Sequence, residues 1–110
     1  MMTQTIFFLS RLKPGADAAA YEAWVEAVDY PRVRTIDAIL EYAVQRIAAG
    51  PMGEKPPFDY IERVVVTSVE AYESERRSKP GREEFLEQIG SFIEIPYAFV
   101  ASTIGDGAKP

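Results

Sequence analysis

"FDYIERVVV", residues Phe58 to Val66, decides how the chain is read. Its aromatic and β-branched residues argue for a strand, yet Glu62 and Arg63 stand side by side between Ile61 and Val64. Side chains alternate across a strand, so the two charges leave on opposite faces. Tyr60, Glu62, Val64 and Val66 share one, and Asp59, Ile61, Arg63 and Val65 share the other. A carboxyl kept in the middle of an apolar face needs a structural partner or a chemical task.

Outward from this strand, glycines and prolines mark the breaks. "AAGPMGEKPP", Ala48 to Pro57, is a loop, and the run before it, Ala38 to Ala48, predicts another strand. Thr3 to Leu12, rich in Thr, Ile, Phe and Leu, predicts the first strand, stopped by "KPG" at Lys13 to Gly15. Asp17 is placed to cap a helix running to about Asp29, where Tyr21, Trp24, Val25 and Val28 recur as one apolar stripe. Pro31 is expected to end it, because the residue before a proline avoids the helical region. Downstream, Ser68 caps "VEAYESERRSK", and a second "KPG" at Lys79 to Gly81 precedes a helix with Phe85, Ile89, Phe92 and Ile93 on one side. Pro96 closes that helix, and "YAFVASTI", Tyr97 to Ile104, predicts the fourth strand.

The order is β-α-β-β-α-β, an α+β, ferredoxin-like arrangement with a four-stranded antiparallel sheet and helices on one face. One domain over residues 1–104 is expected, with 105–110 as a flexible tail. The uncovered face of such a sheet is polar in a monomer. Here Phe7 and Leu9 oppose Ile6 and Phe8, and Tyr97 and Phe99 oppose Ala98 and Val100, so both faces ask for burial. A homodimer with its two sheets packed together, a dimeric α/β barrel, satisfies them.

The composition narrows the chemistry. A formal charge of -5 on 110 residues disfavours nucleic acid as a partner. The apolar run Ile6 to Leu9 is too short for a membrane span or signal core, so a cytoplasmic protein without membrane contact is expected. The chain has no cysteine, which excludes disulfides, thiolate metal sites and thiol catalysis. It also has no histidine, the usual base near neutrality and the commonest ligand of catalytic metals. No metal or cofactor is expected, and proton transfer is left to Asp, Glu, Tyr or Lys.

The strands around the 48–57 loop should pair as a hairpin, whose register a loop of this length does not fix. One register gathers Tyr42, Arg46, Tyr60 and Glu62 on a wall of Leu40, Val44, Val64 and Val66. It segregates apolar residues best and is the one expected. On that wall desolvation would raise the Glu62 carboxyl and a nearby Arg46 would lower it; the alternative is a plain structural Glu–Arg pair. Asp29, in "VDYP", borders the buried stripe at the expected helix end, where negative charge is disfavoured. It suits either proton transfer or a backbone bond in the turn before Pro31.

"VDYPRVRTI" followed by "PPFDYIERVVVTSVEAY" resembles the RedY-like proteins, the family that includes HapK, over roughly residues 20 to 72. The resemblance implies a dimeric α/β barrel and cofactor-independent chemistry on a conjugated pyrrole- or indole-containing intermediate of prodiginine-type pathways. Cyclisation, dehydration and tautomerisation are the reaction types it implies. Carried over to this chain, it points to Asp29 and Tyr30 of "DYP" and to Tyr60 and Glu62 of "DYIE" as catalytic. Tyr21, Trp24, Tyr42, Arg46 and Phe99 are the expected substrate-binding residues of a pocket between the first helix and the sheet. The rival functions are a carrier for a reactive aromatic intermediate and a cofactor-free monooxygenase of the same fold.

Overall fold

The computed structural model describes residues 3–108. Strand β1 (Gln4–Leu12) and strand β3 (Tyr60–Val66) form the centre of a four-stranded antiparallel sheet. Strand β2 (Ile39–Arg46) flanks β3, and β4 (Ile93–Ala101) flanks β1, giving the order β2-β3-β1-β4 of a ferredoxin-like α+β fold. Alternation does the sorting: Ile6 and Ser10 of β1 and Tyr60, Glu62, Val64 and Val66 of β3 are buried. Ile6, Val64 and Val66 pack with Ile36 and Tyr72, and Tyr60 packs with Tyr21, Val25 and Ile93.

The expected β2–β3 register is present: Arg46 opposes Tyr60, Val44 opposes Glu62 and Tyr42 opposes Val64. It slips between Ile39 and Glu41, so that Ile39, not Leu40, opposes Val66. A bulge of this kind leaves one residue unpaired. Leu40 therefore leaves the wall it was expected to join and is 51 % exposed, while Ile39 packs on the core.

Two prolines behave otherwise than expected. The first helix does not stop before Pro31. Helix α1 (Ala18–Trp24), capped by Asp17, passes through one π-helical turn (Val25–Asp29) into α2 (Tyr30–Val33). In a regular helix a proline removes one bond and its ring meets the carbonyl four residues back. The wide turn, in which the Tyr30 N–H reaches Val25 O, accommodates Pro31. Pro96 lies inside β4 and does not close the preceding helix: α4 (Arg82–Phe92) ends at Phe92, and Ile93 already belongs to the strand. An edge strand tolerates a residue without an N–H, and the β1–β4 register shifts beside it, between Leu9 and Arg11.

Helix α3 (Val69–Ser78), capped by Ser68, and α4 are joined by Lys79–Gly81, where Gly81 takes the left-handed φ of 80°. Beyond β4, the Gly107 N–H closes a turn on Ile104 O at 3.3 Å; Lys109 and Pro110 of the expected tail lie outside the described residues. The helix-free face carries Phe7 and Leu9, half-buried, and Tyr97 and Phe99, exposed. Among the described residues no helix is long and apolar enough to cross a membrane.

Candidate functional site

The sheet and the helices over it enclose one cavity of about 140 Å³. Phe8 and Ile39 of the sheet and Ile36, Phe85 and Ile89 from the helical side make its walls apolar. The π-helical turn brings Asp29 into it, β2 brings Tyr42 and β3 brings Glu62. Asp29 is 2 % exposed and Glu62 6 %, burial that isolated carboxylates rarely have. The Tyr42 hydroxyl donates to Asp29 Oδ2 at 2.6 Å. Glu62 Oε1 has no hydrogen-bond partner among the described residues.

The two carboxyls are driven apart. Burial raises Glu62 most, the Asp29 charge raises it further, and Tyr42 opposes more weakly, which leaves Glu62 at about 8. Burial also raises Asp29, but the Tyr42 hydrogen bond and then the Arg32 charge hold it to about 6. Near pH 7 the cavity therefore holds one carboxylate and one carboxylic acid, the pattern by which acid and base roles are assigned to paired groups. Tyr42 itself is pushed well above its ordinary value, first by burial and then by Glu62 and Asp29, so it stays a hydrogen-bond donor.

The other expected site residues separate from this pair. Arg46 was expected beside Glu62; it binds Glu22 instead, through Nε at 2.9 Å and through Nη2. The register explains this: Arg46 sits one step further along the face, over Tyr60, where α1 presents Glu22. The Tyr60 hydroxyl donates to the same Glu22 at 2.8 Å. Arg46 first, and Tyr60 second, draw that carboxyl down to about 2. Tyr60 is thus joined to an ion pair outside the acid cavity, and Glu22 is a member of this cluster that the sequence did not single out. The Tyr30 hydroxyl lies against the free edge of β2, accepting from the Val44 N–H at 3.2 Å and facing Val44 O at 3.5 Å.

Tyr21 and Trp24 do not line the cavity. Tyr21 is fully buried against Tyr60 and Phe92, its hydroxyl raised chiefly by burial and then by Glu62 and Asp29. Trp24 lies against Phe85 and donates from Nε1 to Gln88 at 2.8 Å. Phe99 is on the opposite side of the sheet, 5.6 Å from Phe7, because Phe7 opposes it in the register and alternates with Phe8. The cavity residues absent from the expected set are chiefly Tyr72, Phe85, Arg32, Arg76 and Arg82. All but Arg32, which follows Asp29 by three residues, come from helices distant in sequence, and of those only the Phe85 stripe gave a signal. Among the described residues no group of three or more carboxylates is placed to hold a metal ion.

The fold is shared with solved structures. HapK from Hahella chejuensis superposes with a TM-score of 0.78 at 21 % identity, covering 97 % of this chain and 98 % of that one. SnoaB from Streptomyces nogalater, a cofactor-independent oxygenase, gives 0.72 at 12 % identity over 94 % and 95 % of the two chains. A dabb family protein with a ferredoxin-like fold from Mesorhizobium loti gives 0.62 at 13 % identity over 97 % and 100 %. No curated protein matches by sequence. The family model of the REDY-like protein HapK matches residues 4–104, and the chain belongs to that family.

Proposed function

We propose that the chain is a cofactor-independent enzyme of secondary metabolism, acting on a conjugated pyrrole- or indole-type intermediate by carboxyl acid–base chemistry. The observation that carries this is the buried pair itself, an apolar cavity holding Asp29 and a Glu62 with an unpartnered oxygen. Asp29, ionised near neutrality, takes a proton from a C–H or N–H of the substrate. Glu62, still protonated, delivers one to another atom of the same molecule. Delivery to carbon or nitrogen is a tautomerisation; delivery to a hydroxyl that departs as water is a dehydration, which closes a ring when the nucleophile is internal. Tyr42 positions Asp29, while Tyr60 and Tyr30 support the sheet edge and the Glu22–Arg46 pair.

The chain works as a homodimer in this proposal. Strand β4 exposes Tyr97 and Phe99 on the helix-free face beside Phe7 and Leu9, an apolar surface that an isolated monomer would leave in water. A second copy packed on the Phe7 and Phe99 face covers Tyr97 and Phe99.

The test is an assay of the purified protein without cofactor on oxidised bis-indole and bipyrrole intermediates, products followed by mass. A mass-neutral product or loss of water is expected. Glu62→Gln and Asp29→Asn should each lower turnover about 100-fold or more, the usual size of a general acid–base contribution. Incorporation of labelled dioxygen would replace this mechanism by a monooxygenase. Tight binding without product, unaltered by either variant, would make the chain a carrier.

A further inference from the structure

Eight arginines stand in a chain of net charge -5. Five of them bridge carboxylates: Arg11 to Glu94, Arg46 to Glu22, Arg63 to Glu41, and Arg76 and Arg77 to Glu73. Among the described residues Arg32, Arg34 and Arg82 have no such partner, and two of these three, Arg32 and Arg82, line the acid cavity. The bridged Arg76 lines it as well. Cationic side chains are thus concentrated where the buried acids are, and among the described residues two of the three, Arg32 and Arg82, make no ion pair there.

Arg82 is the more telling of the two. It is the first residue of α4, at the positive end of the helix, where a cation is disfavoured. Its Nε is buried and has no acceptor among the described residues, although buried donors are nearly always paired. Glu83 and Glu84, beside it, are exposed and do not line the cavity. Arg32 is held for display: its guanidinium lies 4.9 Å from the centroid of Phe85, and Nη1 donates to Pro80 O at 2.9 Å. Its other N–H groups make no hydrogen bond among the described residues. The arginines are half-buried and the carboxyls fully buried, so the guanidiniums mark the rim and the acids the interior.

We infer that the cavity receives an aromatic carboxylate, the ring between the apolar walls and the carboxylate on Arg82 and Arg32 at the rim. Guanidinium forks match a planar carboxylate in two parallel hydrogen bonds. An acceptor at Arg82 would satisfy the orphaned Nε and offset the helix end. At about 140 Å³ the space compares with a cavity known to admit a single benzene ring, about 150 Å³, so larger substrates extend past the rim. The inference rests on the acid–base reading above for its choice of cavity, and it adds the substrate's charge. It also fixes direction: the anionic end stays at the rim, and the atom that gains or loses a proton faces Asp29 and Glu62.

The probes are 2-naphthoate and its neutral isostere 2-naphthamide, titrated into the full chain and followed by NMR. The naphthoate should bind about tenfold tighter than the amide, a difference that high salt erodes. Arg82→Gln should remove that preference and leave the amide's affinity within about twofold, so the amide reports that the pocket still folds. Arg34→Gln, which removes an unpaired arginine outside the cavity, should change neither. Glu62→Gln should keep the preference, which separates docking from chemistry. Equal affinity of acid and amide, or a preference that survives Arg82→Gln, would overturn the anion site and leave the acid–base proposal standing. Failure of both probes to bind would overturn the two together.

Discussion

Glu62→Gln tests the electrostatics of the site without any substrate. Folding moves the Glu62 carboxyl from an ordinary 4.5 to about 8, chiefly by burial. Because the folded value lies above the unfolded one, the folded state holds a proton that the unfolded state releases. Stability is then fully present below about pH 4.5 and declines until the folded value near 8 is passed. The shift corresponds to roughly 5 kcal/mol at 1.36 kcal/mol per unit, a large part of a small domain's stability. Asp29, moving from 3.8 to about 6, acts in the same direction at lower pH and is retained in the variant. Glutamine mimics the protonated acid and cannot ionise. In urea unfolding followed by Trp24 fluorescence at fixed protein concentration, wild type and variant should differ little near pH 5. By about pH 9 the variant should be more stable by about 3–5 kcal/mol. A gap of constant size across that range would refute the picture of Glu62 as an acid kept neutral by burial.

Three other perturbations follow from the geometry. Tyr42→Phe removes the 2.6 Å bond that holds Asp29 down; turnover should fall about 10–100-fold and the acid limb of the pH–rate profile should move to higher pH. Unaltered limbs would show that Asp29 is not the base. Pro31→Ala removes the residue for which the helix widens and should stabilise the fold by about 1–3 kcal/mol while lowering turnover, as Asp29 loses its aim; equal or higher turnover would separate the π-helical turn from function. Phe99→Asp places a charge on the helix-free face and should convert a dimer into a monomer in light scattering; a dimer that persists would locate the interface elsewhere.

How much of this was legible in the sequence depends on how local each cause is. The element order, the caps at Asp17 and Ser68, and the face shared by Tyr60 and Glu62 follow from alternation, helical spacing and turn residues, which act over a few positions; Tyr42 joins that face through a register chosen for its apolar segregation. Arg46 was misjudged because its partner, Glu22, comes from a helix packed across the sheet, and nothing in the strand's own residues announces it. Leu40 was misplaced because a bulge moves every residue beyond it by one, so the period of two no longer applies. The two prolines mark the limit of breaker rules. Pro31 distorts a helix without ending it, and Pro96 sits where an edge strand does not need its N–H.

The π-helical turn links the sequence to the chemistry. A regular α1 carried up to Pro31 would leave that proline's ring against the carbonyl of Ala27. Widening the turn over Val25–Asp29 relieves this and alters the angular spacing of the residues within it, and π-turns recur at functional sites for the same reason. In "DYP" the aspartate and the proline are therefore one device: the proline demands the distortion, and the distortion carries the aspartate to the Tyr42 hydroxyl. "DYIE" needs no distortion, since strand alternation and the β2–β3 register put Glu62 on the same face as Tyr42. The two carboxyls reach one cavity by unlike routes and meet unlike surroundings there. Asp29 has a hydrogen bond and the nearby Arg32, and Glu62 has an oxygen without a partner among the described residues. Burial raises both carboxyls most, Glu62 from the higher starting value, and the hydrogen bond and charge that oppose it at Asp29 help leave Asp29 ionised while Glu62 is still protonated at the same pH.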